Sequence, residues 1–151
     1  MIKAKIEIVG DIQEYEWVDR WSQVRLDEFN HIEFMTIETL DIFNSLCNEA
    51  ELKKGWTHRI NSDFRDGDTG QHGLGKAIDP VFYNKVPGDV KVIDQFIFAL
   101  SSKFNRVGFY PYWRTPGLHL DTKNQSLFWW RDEDKIYHYG YKPSDILKWT
   151  V

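Results

Sequence analysis

Two helical patterns constrain the fold of this 151-residue chain most strongly, because they separate groups of short strand-like segments instead of alternating with them. The first pattern follows Thr36, repeats apolar residues every three or four positions and stops near Gly55. The second is predicted to begin after Asp89 and to end near Asn105. Grouped elements favour an α+β fold, in which a small, mostly antiparallel sheet packs against two main helices, over a doubly wound fold.

Short runs of alternating apolar and polar residues predict the strands. Residues 2–9 predict an N-terminal strand that pairs at a sheet edge or with another chain, whereas residues 11–35 lack a clean period and are interpreted as a segment that wraps the core. Residues 80–88 are predicted to form a loop that contains Pro and Gly. Further strands are predicted at residues 56–64, 107–110 and 118–121, and an aromatic hairpin at residues 126–131 and 135–141.

Composition limits the class of protein. The length suits one domain with a proper core. The net charge of -4 argues against nucleic acid as the main partner, because phosphate binding draws on a surplus of Lys and Arg. No apolar run approaches the about 20 residues of a membrane span, and the N terminus is too charged for a secretory signal. We therefore expect a soluble protein that has no membrane span and does not export itself.

Three side chains have the types and spacing of a metal site. His72 and Asp79 are separated by a glycine-rich stretch that can fold back and bring both to one point. If residues 118–121 form a strand, His119 and Asp121 share one of its faces. Two imidazoles and one carboxylate are ligands that zinc takes in hydrolytic sites, where a fourth position is left for water. Taken singly, His72 would more often be an exposed turn residue and Asp79 a turn initiator.

Further motifs accompany these residues in a fixed order along the chain. They are Ser62-x-x-Arg65, His72-x-x-Gly75-x-Ala77-x-Asp79, the run 107–111 and His119-x-Asp121. This order resembles peptidase family M15, the zinc D-alanyl-D-alanine carboxypeptidases and related endolysin peptidases, in its His-x-Asp branch. The resemblance covers residues 22–123, preceded by the N-terminal strand and wrapping segment at 1–21 and followed by the aromatic hairpin at 124–151 in one domain, 1–151.

The resemblance implies a Hedgehog/DD-peptidase type of α+β fold whose antiparallel sheet carries the metal in a cleft. His72, Asp79 and His119 would be the zinc ligands, and Arg65 the cation near the substrate carbonyl or carboxylate. The position of the usual general base, three residues before the last His, is Pro116, which has no acid function. Asp121 is therefore expected either to act as the base or to orient His119. Three loop acids are further candidates for the base: Asp66, Asp68 and Glu133.

Two functions from different classes follow from the resemblance. The first is a zinc-dependent metallopeptidase that hydrolyses a peptide bond in the stem or cross-link peptides of peptidoglycan, as a bacterial or phage-borne carboxypeptidase or endolysin. The second is a catalytically impaired structural or binding protein of the same fold, such as a phage virion or tail component, with a protein partner on the N-terminal strand or the aromatic hairpin. The expected location is cytoplasmic until release, or on the virion.

Overall fold

The structure is a computed structural model that describes residues 3–8, 11–16, 21–85 and 90–140. The helices are α1, Ile37–Lys54, and α2, Val92–Leu100. Short 3-10 turns lie at Leu26–Glu28, Ile32–Phe34 and Gln71–Leu74. The strands in chain order are β1 Lys3–Ile8, β2 Asp11–Glu16, β3 Trp56–Ser62, β4 Ala77–Asn84, β5 Arg106–Tyr110, β6 Gly117–Asp121, β7 Leu127–Arg131 and β8 Tyr137–Tyr139.

The main sheet has six strands in the order β3-β4-β6-β5-β7-β8. Its neighbouring strands run antiparallel except for β5 and β7, which are parallel. The two helices contribute to one apolar core together with the strands, with Leu40, Phe43, Phe96 and Leu120 among its buried members. The predicted α+β class with a mostly antiparallel sheet and two helices is therefore confirmed. No helix within these described ranges is both long and apolar enough to cross a membrane.

The N-terminal region differs from the prediction. The predicted strand exists as β1, but it pairs antiparallel with β2 in a separate two-stranded sheet, so the reading of residues 11–35 as one wrapping segment is wrong at its start. Charged residues along β2 hide its strand period in the sequence. The predicted helical turn near residue 26 is present as the short 3-10 turn Leu26–Glu28.

Helix α1 has the ends that its sequence predicts. The Thr36 hydroxyl accepts a hydrogen bond from the Thr39 amide at 3.3 Å, which satisfies one of the free amides of the first turn. Gly55 ends the helix in the left-handed region at φ 66°. The single cysteine, Cys47, is buried on the core side of this helix.

Helix α2 is shorter than predicted. The predicted cap Asp89 lies outside the described residues, and the helix begins after Lys91 and ends at Leu100, with Ser101 instead of Asn105 as its C-cap. The Ser101 and Ser102 hydroxyls donate to the carbonyls of the last turn, those of Phe98 and Ala99, and so stop the helix early.

The prediction of a loop at residues 80–88 is wrong as far as Asn84, because β4 continues through Pro80. Pairing of β4 with β6 ends at Ile78, so among the described strands β3 alone pairs with the rest of β4. The Phe82 amide, two residues after Pro80, points away from β3 and donates to Gln95 Oε1 at 2.8 Å. By the same alternation, the missing amide of Pro80 removes no sheet hydrogen bond, and proline is tolerated there.

The two faces of the main sheet have different roles. Leu118 and Leu120 on β6 are fully buried in the core shared with the helices. His119 and Asp121 alternate with them and lie on the opposite face, as the sequence predicts. Helices therefore cover one face, and the polar residues of β4 and β6 collect on the other.

Gly75 follows the turn that carries His72, and we predict that alanine there destabilises the fold strongly. Its φ is 67°, and an added Cβ would lie 1.9 Å from the Phe34 carbonyl oxygen, so backbone would have to move. Gly67 is the matched control, because its φ is 76° and an added Cβ meets nothing within 4 Å. Urea unfolding should show a loss of about 1 kcal/mol for Gly67→Ala and at least about 2 kcal/mol more for Gly75→Ala. Equal losses would contradict the steric argument.

Candidate metal centre

Three ligand atoms converge on the open face of the sheet. His72 lies on the 3-10 turn Gln71–Leu74, Asp79 on β4 and His119 on β6. His72 Nε2 lies 3.1 Å from Asp79 Oδ1 and 3.2 Å from His119 Nδ1, and the last two atoms are 2.9 Å apart. His72 and Asp79 are buried and His119 is half-buried. The three residues predicted as ligands are therefore brought together, and could hold a metal ion.

The size of this triangle fits a small tetrahedral ion. Bonds of about 2.0 to 2.1 Å from zinc to His nitrogen and carboxylate oxygen separate neighbouring ligand atoms by about 3.3 Å. The observed edges of 2.9 to 3.2 Å need only a slight expansion to reach that value. Two imidazoles and one carboxylate also match the donor types that zinc prefers.

A contact outside the triangle determines which ring nitrogen of His72 carries the proton. Its Nδ1 lies 2.6 Å from the backbone carbonyl of Asp63, and because a carbonyl only accepts, Nδ1 carries the proton. In the neutral ring Nε2 then has a free lone pair, which points at Asp79 and His119. The Asp63 carboxylate itself accepts from the His31 amide at 2.9 Å and holds the loop in place.

Asp121 does the same for His119. His119 Nε2 donates to Asp121 Oδ2 at 2.8 Å, which directs the Nδ1 lone pair of the neutral ring toward Asp79. The Asp121 carboxylate, which is fully buried, also accepts from Arg106 Nε at 2.9 Å, from Arg106 Nη2 at 2.6 Å and from the Lys123 amide at 3.0 Å. Four donor groups thus hold Asp121 in one orientation.

Three lone pairs aimed at one point repel one another unless a positive charge stands between them. Without a metal, a proton on His119 takes this role: burial alone lowers the His119 pKa, but hydrogen bonds to Asp121 and Asp79 outweigh it and raise the pKa to about 9. Burial raises the pKa of Asp121, yet the bonds from His119 and Arg106 lower it to about 2. Burial also raises the pKa of Asp79, but the hydrogen bonds from His119 and His72 outweigh it and lower the pKa overall.

Trp129 forms a wall beside the centre. Its ring lies 5.5 Å from that of His119, and an added Cβ at Gly108 would come within 2.5 to 2.7 Å of the indole, so only glycine leaves room for it. The indole Nε1 donates to the Tyr110 hydroxyl at 2.8 Å, and the Arg106 guanidinium lies 5.4 Å from the ring centre. Burial raises the pKa of Tyr110, so that its phenol stays neutral.

Arg65 lies apart from the three ligands in its contacts. Its side chain is exposed and its Nε lies 3.4 Å from Asp68 Oδ2, while its backbone amide donates to the His72 carbonyl at 3.1 Å. Asp68 also accepts from the Gly70 amide at 2.6 Å. The substrate-binding role of Arg65 remains a prediction, and in this structure its backbone helps to place His72.

Asp121 was expected as base or as orienter, and its contacts favour the orienting role. The predicted base position, Pro116, carries no acid, and the loop acids Asp66 and Glu133 are exposed. Sequence reasoning missed Arg106 and Trp129. Both could have been found from the strand register, because Arg106 lies opposite Asp121 on β5 and β6, and Gly108 lies opposite both His119 and Trp129.

No family model, curated protein or solved structure matches this chain. The resemblance to peptidase family M15 therefore stays a prediction.

We predict that zinc binds more tightly as pH rises. A bound ion replaces the proton that His119 holds below its pKa of about 9. The apparent zinc affinity should therefore rise about tenfold for each pH unit between about 7 and 9 and then level off. Competition with a chromophoric chelator over this range measures it, and a flat profile would contradict the assignment of His119 as a ligand.

Arg106 is predicted to strengthen metal binding without touching the ion. Arg106→Gln removes the guanidinium that fixes Asp121, so His119 loses its fixed orientation, and zinc affinity should fall about 10- to 100-fold. Lys123→Gln is the matched control, because only the Lys123 backbone amide contacts Asp121 and its side chain is exposed. The chelator competition should leave the Lys123 variant unchanged. An unchanged zinc affinity in Arg106→Gln would contradict the role of Arg106 in metal binding.

Proposed function

We propose that this chain is a zinc-dependent metallopeptidase that hydrolyses a peptide bond in the stem or cross-link peptides of peptidoglycan. The observation that carries the proposal is the convergence of His72, Asp79 and His119, in which contacts outside the triangle fix the orientation of both imidazoles. A surface cluster without a metal role has no need of such fixed orientations. The motif order described above supports a peptidoglycan peptide as the substrate.

His72, Asp79 and His119 would hold the ion, and the chain's other residues keep them ready. A zinc ion bound there supplies Lewis-acid chemistry, which lowers the pKa of water and polarises a carbonyl oxygen. Asp63 and Asp121 fix the two rings, so that little reorganisation is needed when the reaction occurs. The Trp129 indole lies beside the His119 ring on one side of the centre.

Hydrolysis also needs a group that takes a proton from water. Asp121 suits this role poorly, because its lowered pKa and its four donors leave the carboxylate a weak base within a closed network. We assign Asp121 to positioning His119. The three loop acids Asp66, Asp68 and Glu133 then stay the candidates for proton transfer.

A second function is favoured by the lack of a clear general base. Pro116 stands at the expected base position, and the carboxylate of Asp121 is bound to Arg106. In that case the chain is a catalytically impaired structural or binding protein, such as a virion or tail component. The ion would then stabilise the fold by binding the native state alone, since it joins β4, β6 and the turn that carries His72.

Zinc analysis and a digest of purified muropeptides test the two functions together. The enzyme should hold about one zinc per chain and release new amino groups from the muropeptides, because three protein ligands leave a position open for chemistry. His72→Ala and Asp79→Ala should lose both the zinc and the release, with the fold checked by circular dichroism. His138→Ala is the matched control, because its imidazole pairs with Asp132 and stacks on Trp130, in contacts separate from the centre.

Zinc in the wild-type protein without release from any muropeptide would reject the peptidase and favour the structural function. Release that survives in both ligand variants would reject the metal centre itself.

A further inference from the structure

A cleft of about 650 Å³ lies beyond Asp79 along β4, where it is lined by β3, β4, α2 and the turn that precedes β6, the strand of His119. Val81 lies two residues beyond Asp79 on the same face of β4, and Gly117 lies two residues before His119 on the same face of β6. The two walls touch there, since an added Cβ at Gly117 would lie 3.0 Å from Val81 Cγ2. The cleft therefore begins about 7 Å from the ligands, which is the length of two strand residues.

The cleft exists because the sheet splits at this point. Pairing between β4 and β6 ends at Ile78, and the turn between β5 and β6 lines the opposite wall through Thr115 and Pro116. Gln95 of α2 forms part of the floor: its Oε1 accepts from the Phe82 amide at 2.8 Å and its Nε2 donates to the Val90 carbonyl at 3.1 Å. The volume falls in the range of about 300 to 1,000 Å³ that is typical of ligand sites.

Arg59 provides the charge of the cleft. It pairs with Val81 across β3 and β4, its side chain is exposed, and among the described residues that line the cleft it alone is charged. Tyr83 lies two residues beyond Val81 on the same face of β4 and adds a phenol to the lining, and Asn84 and Thr115 add an amide and a hydroxyl elsewhere in the cleft. A guanidinium beside neutral polar groups, with no carboxylate in the described lining, is complementary to an anionic group of a ligand.

We propose that this cleft binds an extended segment of the peptide substrate and that Arg59 binds a carboxylate of that segment. From Asp79 the path covers two residues of β4 and one strand spacing to Arg59, which an extended peptide spans in about two or three residues. The carboxylate thus belongs to a residue two or three positions from the bond that is cut. This inference rests on the proposed peptidase function for its substrate class, but the binding it predicts can be measured without cleavage.

Two acetylated tri-D-alanine peptides, one with a free C-terminal carboxylate and one with a C-terminal amide, test the proposal on the zinc-loaded protein. Titrations followed by amide NMR should show the acid binding about tenfold or more tightly than the amide, with shifts at Val81, Tyr83 and Thr115. Arg59→Gln should remove this preference and Arg59→Lys should keep part of it. Lys103→Gln, which removes an exposed charge beyond the end of α2, should keep all of it.

Several outcomes overturn the proposal. The first is equal binding of the two peptides, or binding of neither. The second is an acid preference that survives in Arg59→Gln, which would place the carboxylate on the metal ion. The third is a preference lost in Arg65→Gln and kept in Arg59→Gln, which would assign the carboxylate to Arg65. Release of a shorter alanine peptide in later spectra reports on the peptidase function separately, so an acid preference without release leaves the cleft standing while rejecting the enzyme.

Discussion

The arrangement of this molecule depends on an electrostatic constraint, the need for positive charge where His72, Asp79 and His119 meet. His72 Nε2 and Asp79 Oδ1 are acceptors, and His119 Nδ1 becomes one when its ring loses the proton. The contacts that fix the two rings come from separate parts of the chain: the Asp63 carbonyl in a loop and the Asp121 carboxylate on β6. Bringing three such atoms together away from water is electrostatically unfavourable unless a positive charge lies between them. Such a cost is typical of functional sites, where local repulsion is retained because a ligand relieves it.

The open face of the sheet organises everything around that point. The helices and the apolar residues of β6 fill one face, and the opposite face carries a row that runs from Asp79 through His119 and Gly108 to Trp129. Because paired residues of neighbouring strands point to the same side, the register alone places a ligand, a bare backbone and an indole next to one another. Arg106 then joins the buried Asp121 to the ring of Trp129, so that the candidate ligands and the indole beside them share a support.

Much of this could be predicted from the sequence. The caps Thr36 and Gly55 lie beside an uninterrupted apolar period, and the alternation around His119 is strict, so local rules were enough for α1 and β6. His72, Asp79 and His119 could be predicted as candidate ligands because two imidazoles and a carboxylate in that order and spacing are chemically unusual.

The failures have a common physical cause, which is that a partner distant in sequence supplies what the local pattern lacks. Pro80 indicates a loop when read alone, but Gln95 bonds the neighbouring Phe82 amide and lets β4 continue. The early end of α2 depends on the serine hydroxyls that cap it, and the strand β2 on its pairing with β1. Arg106 and Arg59 carry no local signal at all, since their meaning comes only from the strands they face.

The gap between β4 and the β5–β6 turn has a consequence for aggregation. A gap in a sheet is an internal edge, and edges with unpaired amides invite strands of other molecules to add and aggregate. Here Pro80 has no amide hydrogen, and the Phe82 amide already donates to the Gln95 side chain. A strand from another molecule would therefore find few donors on this edge of β4. Pro80 and Gln95 therefore protect this edge of β4 from pairing with a neighbouring molecule.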